Sequence, residues 1–252
     1  MKDFDGLHAL VTGGGRGIGA AIAFALTQGG ARVTITGRNE AALAERVARK
    51  DAAAYIRADL ADPAAFEKAM TEIAGKGPVD ILVNNAGMAM SAPFLKTADA
   101  DFEMLFRVNV LGAVIASRAV LPGMMARKFG RIVNIASTAA LKGHPYISAY
   151  VTSKHALLGF TRALALEQAK TGVTVNAVCP GFTDTDMVGD AIERIVAKTG
   201  RDADSARAEI VKTSPIGRLI APAEVADAVC FLARRESGGM TGTAITVAGG
   251  EA

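Results

Sequence analysis

Seven short apolar runs recur along the chain, at residues 8–12, 32–36, 54–58, 79–83, 131–135, 173–178 and 244–247, and most lead into a stretch of helical periodicity. This alternation predicts an α/β fold, a doubly wound parallel sheet whose right-handed crossovers place helices on both faces. The run at 79–83 is almost uninterrupted, as expected of a strand covered on both sides. Gly29-Gly30 stops a helix over 18–28. Asn39 stands as N-cap of a helix over about 39–49, and Asp62-Pro63 supply the N-cap and first residue of the next. Longer helices are expected over about 99–126, 149–170 and 222–233. No linker, repeat or composition break divides the chain, so a single domain over 1–252 is expected. One stretch, 182–220, breaks the rhythm. It is polar, with helical pieces at 191–198 and 205–211, and follows a strand where open α/β sheets bind ligands, so it reads as a substrate lid.

Composition closes off several functions. With 50% hydrophobic and 21% charged residues the chain is no disordered polymer. Its 28 basic and 25 acidic residues leave +3, too little for a nucleic-acid footprint. No run reaches the roughly 18 apolar residues of a membrane span, so a cytoplasmic protein is expected. Cys179 and Cys230 sit in apolar runs and His8, His144 and His155 lack ligand spacing, so neither a disulfide framework nor a metal site is expected.

Gly13-Gly14-Gly15-Arg16-Gly17-Ile18-Gly19 lies between the first strand and the first helix. Glycines let the backbone turn tightly against a pyrophosphate, and the helix N-terminus offers free N–H groups and positive partial charge, which marks a dinucleotide-binding Rossmann fold. A carboxylate at the end of the second strand would hold the ribose hydroxyls of NAD. Thr36-Gly37-Arg38 has none, and Arg38 with Arg16 is suited to clamp a 2′-phosphate, so NADP(H) is favoured and NAD(H) is the alternative. Asp59-Leu60 end the third strand, with Asp59 a candidate partner for the adenine amine or else a helix-entry cap. Asn85, Ala86 and Gly87, after Asn84, line the same row of strand ends.

Tyr150 and Lys154 stand four residues apart, on one face of a helix. A free phenol titrates near 10, and a neighbouring cation lowers that value toward the range acid–base catalysis requires. Tyr146 lacks such a partner. Ser137 follows the fifth strand, its hydroxyl placed to donate to a carbonyl. Asn109, an amide among Phe106, Val108, Val110 and Leu111, is either a site residue or a structural hydrogen bonder.

These residues together resemble the classical short-chain dehydrogenase/reductase family over essentially the full length: Thr12-Gly13-x-x-x-Gly17-x-Gly19, Asp59, Asn84-Asn85-Ala86-Gly87, Asn109, Ser137, Tyr150-x-x-x-Lys154 and Pro180-Gly181. The resemblance implies a proton role for Tyr150 and carbonyl polarisation by Ser137. It gives Lys154 the nicotinamide ribose and Asn109 a water of the proton relay, and sets Pro180, Gly181, Thr183 and Thr185 around the nicotinamide. It also implies a homo-oligomer, a tetramer joined through the helices near 99–126 and 149–170 and the last strand. Ser153-Lys154-His155-Ala156 and the stretch 176–182 look like 3-oxoacyl and polyketide ketoreductases. The expected activity is therefore reduction of a 3-oxoacyl thioester or similar ketone, with oxidation of a secondary alcohol as the alternative and a non-catalytic cofactor-binding protein a distant third. The pocket wall is read as Met88, Met90, Phe94, Leu141, Phe182, Met187 and Val188. Arg127, Lys128 and Lys170 are either a docking face for a carrier or coenzyme A phosphate, or ordinary solvated charges.

Overall fold

Side chains that alternate in direction along buried strands need a helical layer on each side of the sheet. The computed structural model, which describes residues 2–251, has that form. Strands β1 (His8–Thr12), β2 (Arg32–Gly37), β3 (Ala54–Arg57), β4 (Ile81–Asn84), β5 (Gly130–Ile135), β6 (Val173–Pro180) and β7 (Ala244–Val247) make one parallel sheet in the order β3-β2-β1-β4-β5-β6-β7. Val11, Ile35, Val83, Val133 and Val178 face one way, onto Ile22 and Leu26 of α1 (Gly17–Gln28) and Val225 and Val229 of α9 (Pro222–Ala233). Leu10, Leu82, Ile132 and Val175 face the other way. They meet Phe66 and Met70 of α3 (Pro63–Gly75), Val120 and Met124 of α5 (Gly112–Ala126) and Leu164 of α6 (Ser148–Gln168).

The caps fall where the sequence puts them. Asn39 accepts from the Ala42 amide at the start of α2 (Glu40–Ala48), and Asp62 from Ala65 at the start of α3. At the centre, Asn84 Nδ2 donates to Asn134 Oδ1 at 2.8 Å and Asn134 Nδ2 to Thr161 Oγ1 at 2.8 Å, tying β4, β5 and α6 together in the dry interior. These buried bonds reinforce one another, although Asn84 Oδ1 is left without a partner among the described residues.

Two expectations change. The 99–126 helix is not uniform: α4 (Asp99–Phe106) passes through a π-turn at Arg107–Leu111 before α5. By length and composition Asp99–Ala126 would suffice to cross a membrane, but here it lies on the sheet with Val120 and Met124 in the core. The 182–220 stretch is more ordered than its polarity suggests. It contains α7 (Asp186–Thr199) and α8 (Ala203–Lys212), which pack on each other around Val188, Ile210 and Leu219. Asp202 caps α8, accepting from the Ser205 amide at 2.8 Å.

Candidate active site

The chain crosses from one half of the sheet to the other between β1 and β4, and the site residues gather at the C-terminal ends of these strands and of β5 and β6. Thr12 Oγ1 accepts from the amides of Asn85 and Ala86, both at 3.0 Å, while Asn85 Nδ2 donates to the carbonyls of Thr12 (2.9 Å) and Gly13 (3.2 Å). Gly13 and Gly17 adopt φ of +67° and +53°, conformations that side chains strain. The first turn of α1 carries no capping side chain and no acidic residue, so its N–H groups and positive dipole end remain for an anion. This bare turn fits a pyrophosphate.

Arg38 is exposed just beyond β2, with no carboxylate in Thr36-Gly37-Arg38. Arg16 makes a 3.3 Å ion pair with Asp186 at the start of α7, which the sequence did not suggest. Both side chains are largely exposed, and such pairs contribute little and rearrange readily. Asp59 is not the cap of α3, a place Asp62 takes; its Oδ1 accepts from the Ala61 amide at 2.9 Å. Leu60 turns into the core against Gly112, leaving only its backbone at the strand end. Ile18 likewise packs on the core.

At the chemical end, α6 carries Tyr150 and Lys154 beneath Ser137. Burial raises the Tyr150 phenol above its ordinary value, and the nearby Ser137 hydroxyl opposes that rise. Lys154 is almost fully buried; its Nζ donates to the Ile135 carbonyl at 2.9 Å and lies 5.7 Å from the Tyr150 ring centre. Desolvation pulls its pKa from 10.5 to about 8. The unfolded chain therefore binds this proton more tightly between those values, so the site's contribution to stability rises with pH across that window. Wild type should gain up to about 2–3 kcal/mol relative to Lys154→Met between roughly pH 7.5 and pH 10 in urea unfolding. Parallel stability profiles for the two proteins would refute the burial argument.

The Asn109 side chain is fully engaged. Oδ1 accepts from the Met88 amide at 2.9 Å, and Nδ2 donates to the Met88 carbonyl at 3.0 Å and to Ser153 Oγ at 2.9 Å. Ser153 Oγ donates onward to the Tyr150 carbonyl at 2.8 Å. Geometry thus favours the structural alternative for this amide, which fixes the segment after β4 to the tyrosine helix. Gly87 permits the approach, since a Cβ there would stand 3.1 Å from Asn109 Oδ1 and 3.5 Å from Lys154 Nζ.

Pro180, Gly181, Thr183 and Thr185 run along the exit of β6, with Thr183 Oγ1 on the Gly181 carbonyl (3.0 Å) and Thr185 Oγ1 on that of Thr183 (3.2 Å). A Cβ on Gly17 would meet Thr185 Cγ2 at 3.2 Å, so this exit touches the glycine turn. Of the expected pocket wall, Met88 and Met90 are partly buried and Phe94, Leu141 and Met187 exposed. Val188 corrects the expectation: its side chain belongs to the small core of the excursion, which Phe182 also borders. Of the two readings of the basic trio, the position favours ordinary solvated charges over a docking face at the site. Arg127, Lys128 and Lys170 precede β5 and β6, at the N-terminal ends of the strands opposite the site, and Arg127 pairs with Asp80 at 3.1 Å. Sequence reasoning passed over Ser153, although it sits inside the tyrosine–lysine motif, and Glu251, for which no local signal exists.

A parallel sheet that binds a dinucleotide at its crossing, with a phenol and an ammonium over the same crevice, defines a Rossmann-type oxidoreductase. Residues 7–195 match the family model described as short chain dehydrogenase, and this chain belongs to that family. An acetoacetyl-CoA reductase of Shinella zoogloeoides is 38% identical over 96% of this chain and 97% of its own length. The 3-oxoacyl-(acyl-carrier-protein) reductase FabG of Escherichia coli (strain K12) is 37% identical over 98% of each. Among solved structures, a tryptophan variant of actinorhodin polyketide ketoreductase with NADPH superposes with a TM-score of 0.92 at 35% identity, covering 100% of this chain and 98% of that one.

Proposed function

We propose that this enzyme uses NADP(H) to reduce a 3-oxoacyl thioester, on coenzyme A or an acyl carrier protein, or a similar ketone. The observation that carries the chemistry is Tyr150 placed beside Ser137, with Lys154 buried behind its ring. The reductases of 3-oxo substrates related over its whole length support the substrate class. The nicotinamide, when bound, supplies the hydride. Ser137 Oγ donates a hydrogen bond to the substrate oxygen and polarises the carbonyl. Tyr150 Oη gives that oxygen its proton, and the charge of Lys154 favours the phenolate left behind. Lys154 also holds the ribose hydroxyls, while Asn109 keeps the Tyr150 helix in register with the β4 exit.

Gly13, Gly15, Gly17 and Gly19 with the bare turn of α1 hold the pyrophosphate. Asp59 faces the adenine, and Arg38, joined by Arg16 once it leaves Asp186, holds the 2′-phosphate. Asn85, Ala86, Gly87, Pro180, Gly181, Thr183 and Thr185 line the nicotinamide end. The 182–220 excursion acts as the lid, with Met88, Met90, Phe94, Leu141 and Met187 against the acyl chain. Exposed Phe106, Leu111 and Leu166 on α4, the π-turn and α6 support assembly through these helices; the assembly is a homotetramer and works in the cytoplasm.

Initial rates on acetoacetyl-CoA and a panel of ketones, with NADPH and NADH in parallel, test the reading. Fast thioester reduction with NADPH is expected. Silence on the thioester and the ketones, with turnover of a secondary alcohol by the oxidised cofactor, would move the enzyme to secondary-alcohol oxidation. Arg38→Asp should lower kcat/KM for NADPH about a hundredfold and improve NADH, because a charge-assisted phosphate contact becomes a repulsion. An unchanged cofactor ratio in that variant would make Arg38 a bystander.

A further inference from the structure

A buried carboxylate needs a reason, because removing it from water is costly unless charges and donors surround it. Glu251, beyond β7, has such a carboxylate, its side chain only 6% exposed. Thr138 Oγ1 donates to its Oε1 at 3.2 Å, Lys142 Nζ stands 3.6 Å from the same oxygen and His144 Nε2 3.9 Å. Lys142 Nζ also donates to the Glu251 main-chain carbonyl. The other oxygen, Oε2, fills the space left by the missing side chain of Gly181, 2.7 Å from where a Cβ would stand. Thr138 follows Ser137 directly. It opens the short 3-10 turn Thr138–Ala140, in which Ser137 Oγ caps the Ala139 amide at 3.1 Å.

The same few residues also touch the end of the excursion. A Cβ on Gly249 would lie 2.4 Å from Ile216 Cγ2, and one on Gly250 3.5 Å from Pro215 Cβ. Gly249 and Gly250 take φ of +59° and +91°, which lets the chain turn back beneath the turn that bears Ser137.

We infer that Glu251 is a positioning residue, a latch that sets the Ser137 turn against Pro180-Gly181 and couples it to the 182–220 excursion. It acts through Thr138 and Lys142 and touches no reacting atom. The kinetic part of this inference rests on the proposed role of Ser137; the structural part does not.

Hydrogen exchange on wild type, Glu251→Ala and Thr138→Val separates the two. In Glu251→Ala the amides of 139–142 and 214–217 should exchange about tenfold faster, with β1 and α1 unchanged, because losing bonds to a charged acceptor releases only the segments it holds. Thr138→Val, which removes one donor and leaves Glu251 in place, should speed 139–142 more weakly. For acetoacetyl-CoA, kcat should fall about tenfold in Glu251→Ala with KM within about twofold, as expected when alignment rather than binding is lost. Unchanged exchange at 139–142 in both variants would overturn the latch. So would a uniform rise across the whole sheet, which signals general destabilisation. If Glu251→Ala fails to fold, Thr138→Val decides alone. If wild type reduces no ketone, the functional reading fails while the exchange data still decide the latch.

Discussion

Replacing Tyr150 with phenylalanine should lower kcat/KM roughly a thousandfold, within the range that positioned acid–base groups contribute, while dinucleotide affinity stays within about twofold. The substitution removes one oxygen and nothing else. The ring remains beside Lys154, the helix remains tied to Asn109 through Ser153, and Lys154 keeps its bond to the Ile135 carbonyl. The polar neighbour that loses the phenol is Ser137, so a steep fall in rate isolates the phenol as proton donor. Initial rates together with a fluorescence titration of NADPH would check both halves. A variant with wild-type turnover would end the assignment of Tyr150, and one that no longer bound cofactor would show that the phenol has a structural role in the groove.

Gly19→Ala is expected to cost about 2–4 kcal/mol and to abolish cofactor binding, the magnitude associated with overpacking against groups that cannot yield. A methyl group there would stand 2.2 Å from the Gly13 carbonyl oxygen and 2.4 Å from Asn85 Nδ2. Relieving either contact opens the turn or breaks the link from Asn85 to the end of β1. Gly75→Ala is the control. It adds the same methyl group at the last residue of α3, where nothing described beyond its chain neighbours and its own helix backbone lies within 4 Å, and should be neutral or stabilising by a few tenths of a kcal/mol. Melting curves for the two variants, with NADPH titrations, measure the contrast; equal stabilities would mean that the turn at Gly13 is softer than its contacts imply.

Much of this molecule was legible in the sequence, for a physical reason. Strands buried on both faces are mostly apolar, so a polar residue at a strand end stands out, and Asn84 and Ser137 were found that way. Asn39 and Asp62 were readable because N-capping uses a local rule of three residues. What escaped depends on distant partners. Nothing near Arg16 announces Asp186, 170 positions away, and nothing near Glu251 announces Thr138, 113 positions earlier. Leu60 and Val188 were given to the site because they neighbour site residues in sequence, but apolar side chains there turn toward whichever core is nearest. The start of α7 was set too late because Gly189 interrupts the helical pattern of its first turn and Met187 and Val188 were read as pocket wall.

The π-turn at Arg107–Leu111 makes the length of the chain part of the active site. Such a turn holds one residue more than an α-helix of similar rise. Deleting any single residue within it would let Asp99–Ala126 wind as one regular helix, with every polar side chain of the crevice outside the turn still present. The helix on either side would keep its present face, because the turn already absorbs the extra residue, but the side chains within the turn would be rephased, and Asn109 would lose its simultaneous reach to Met88 and Ser153. The helix would be more regular and the tyrosine less well held. In this enzyme an irregular backbone, one residue too long for its helix, is a working component on the same footing as a side chain.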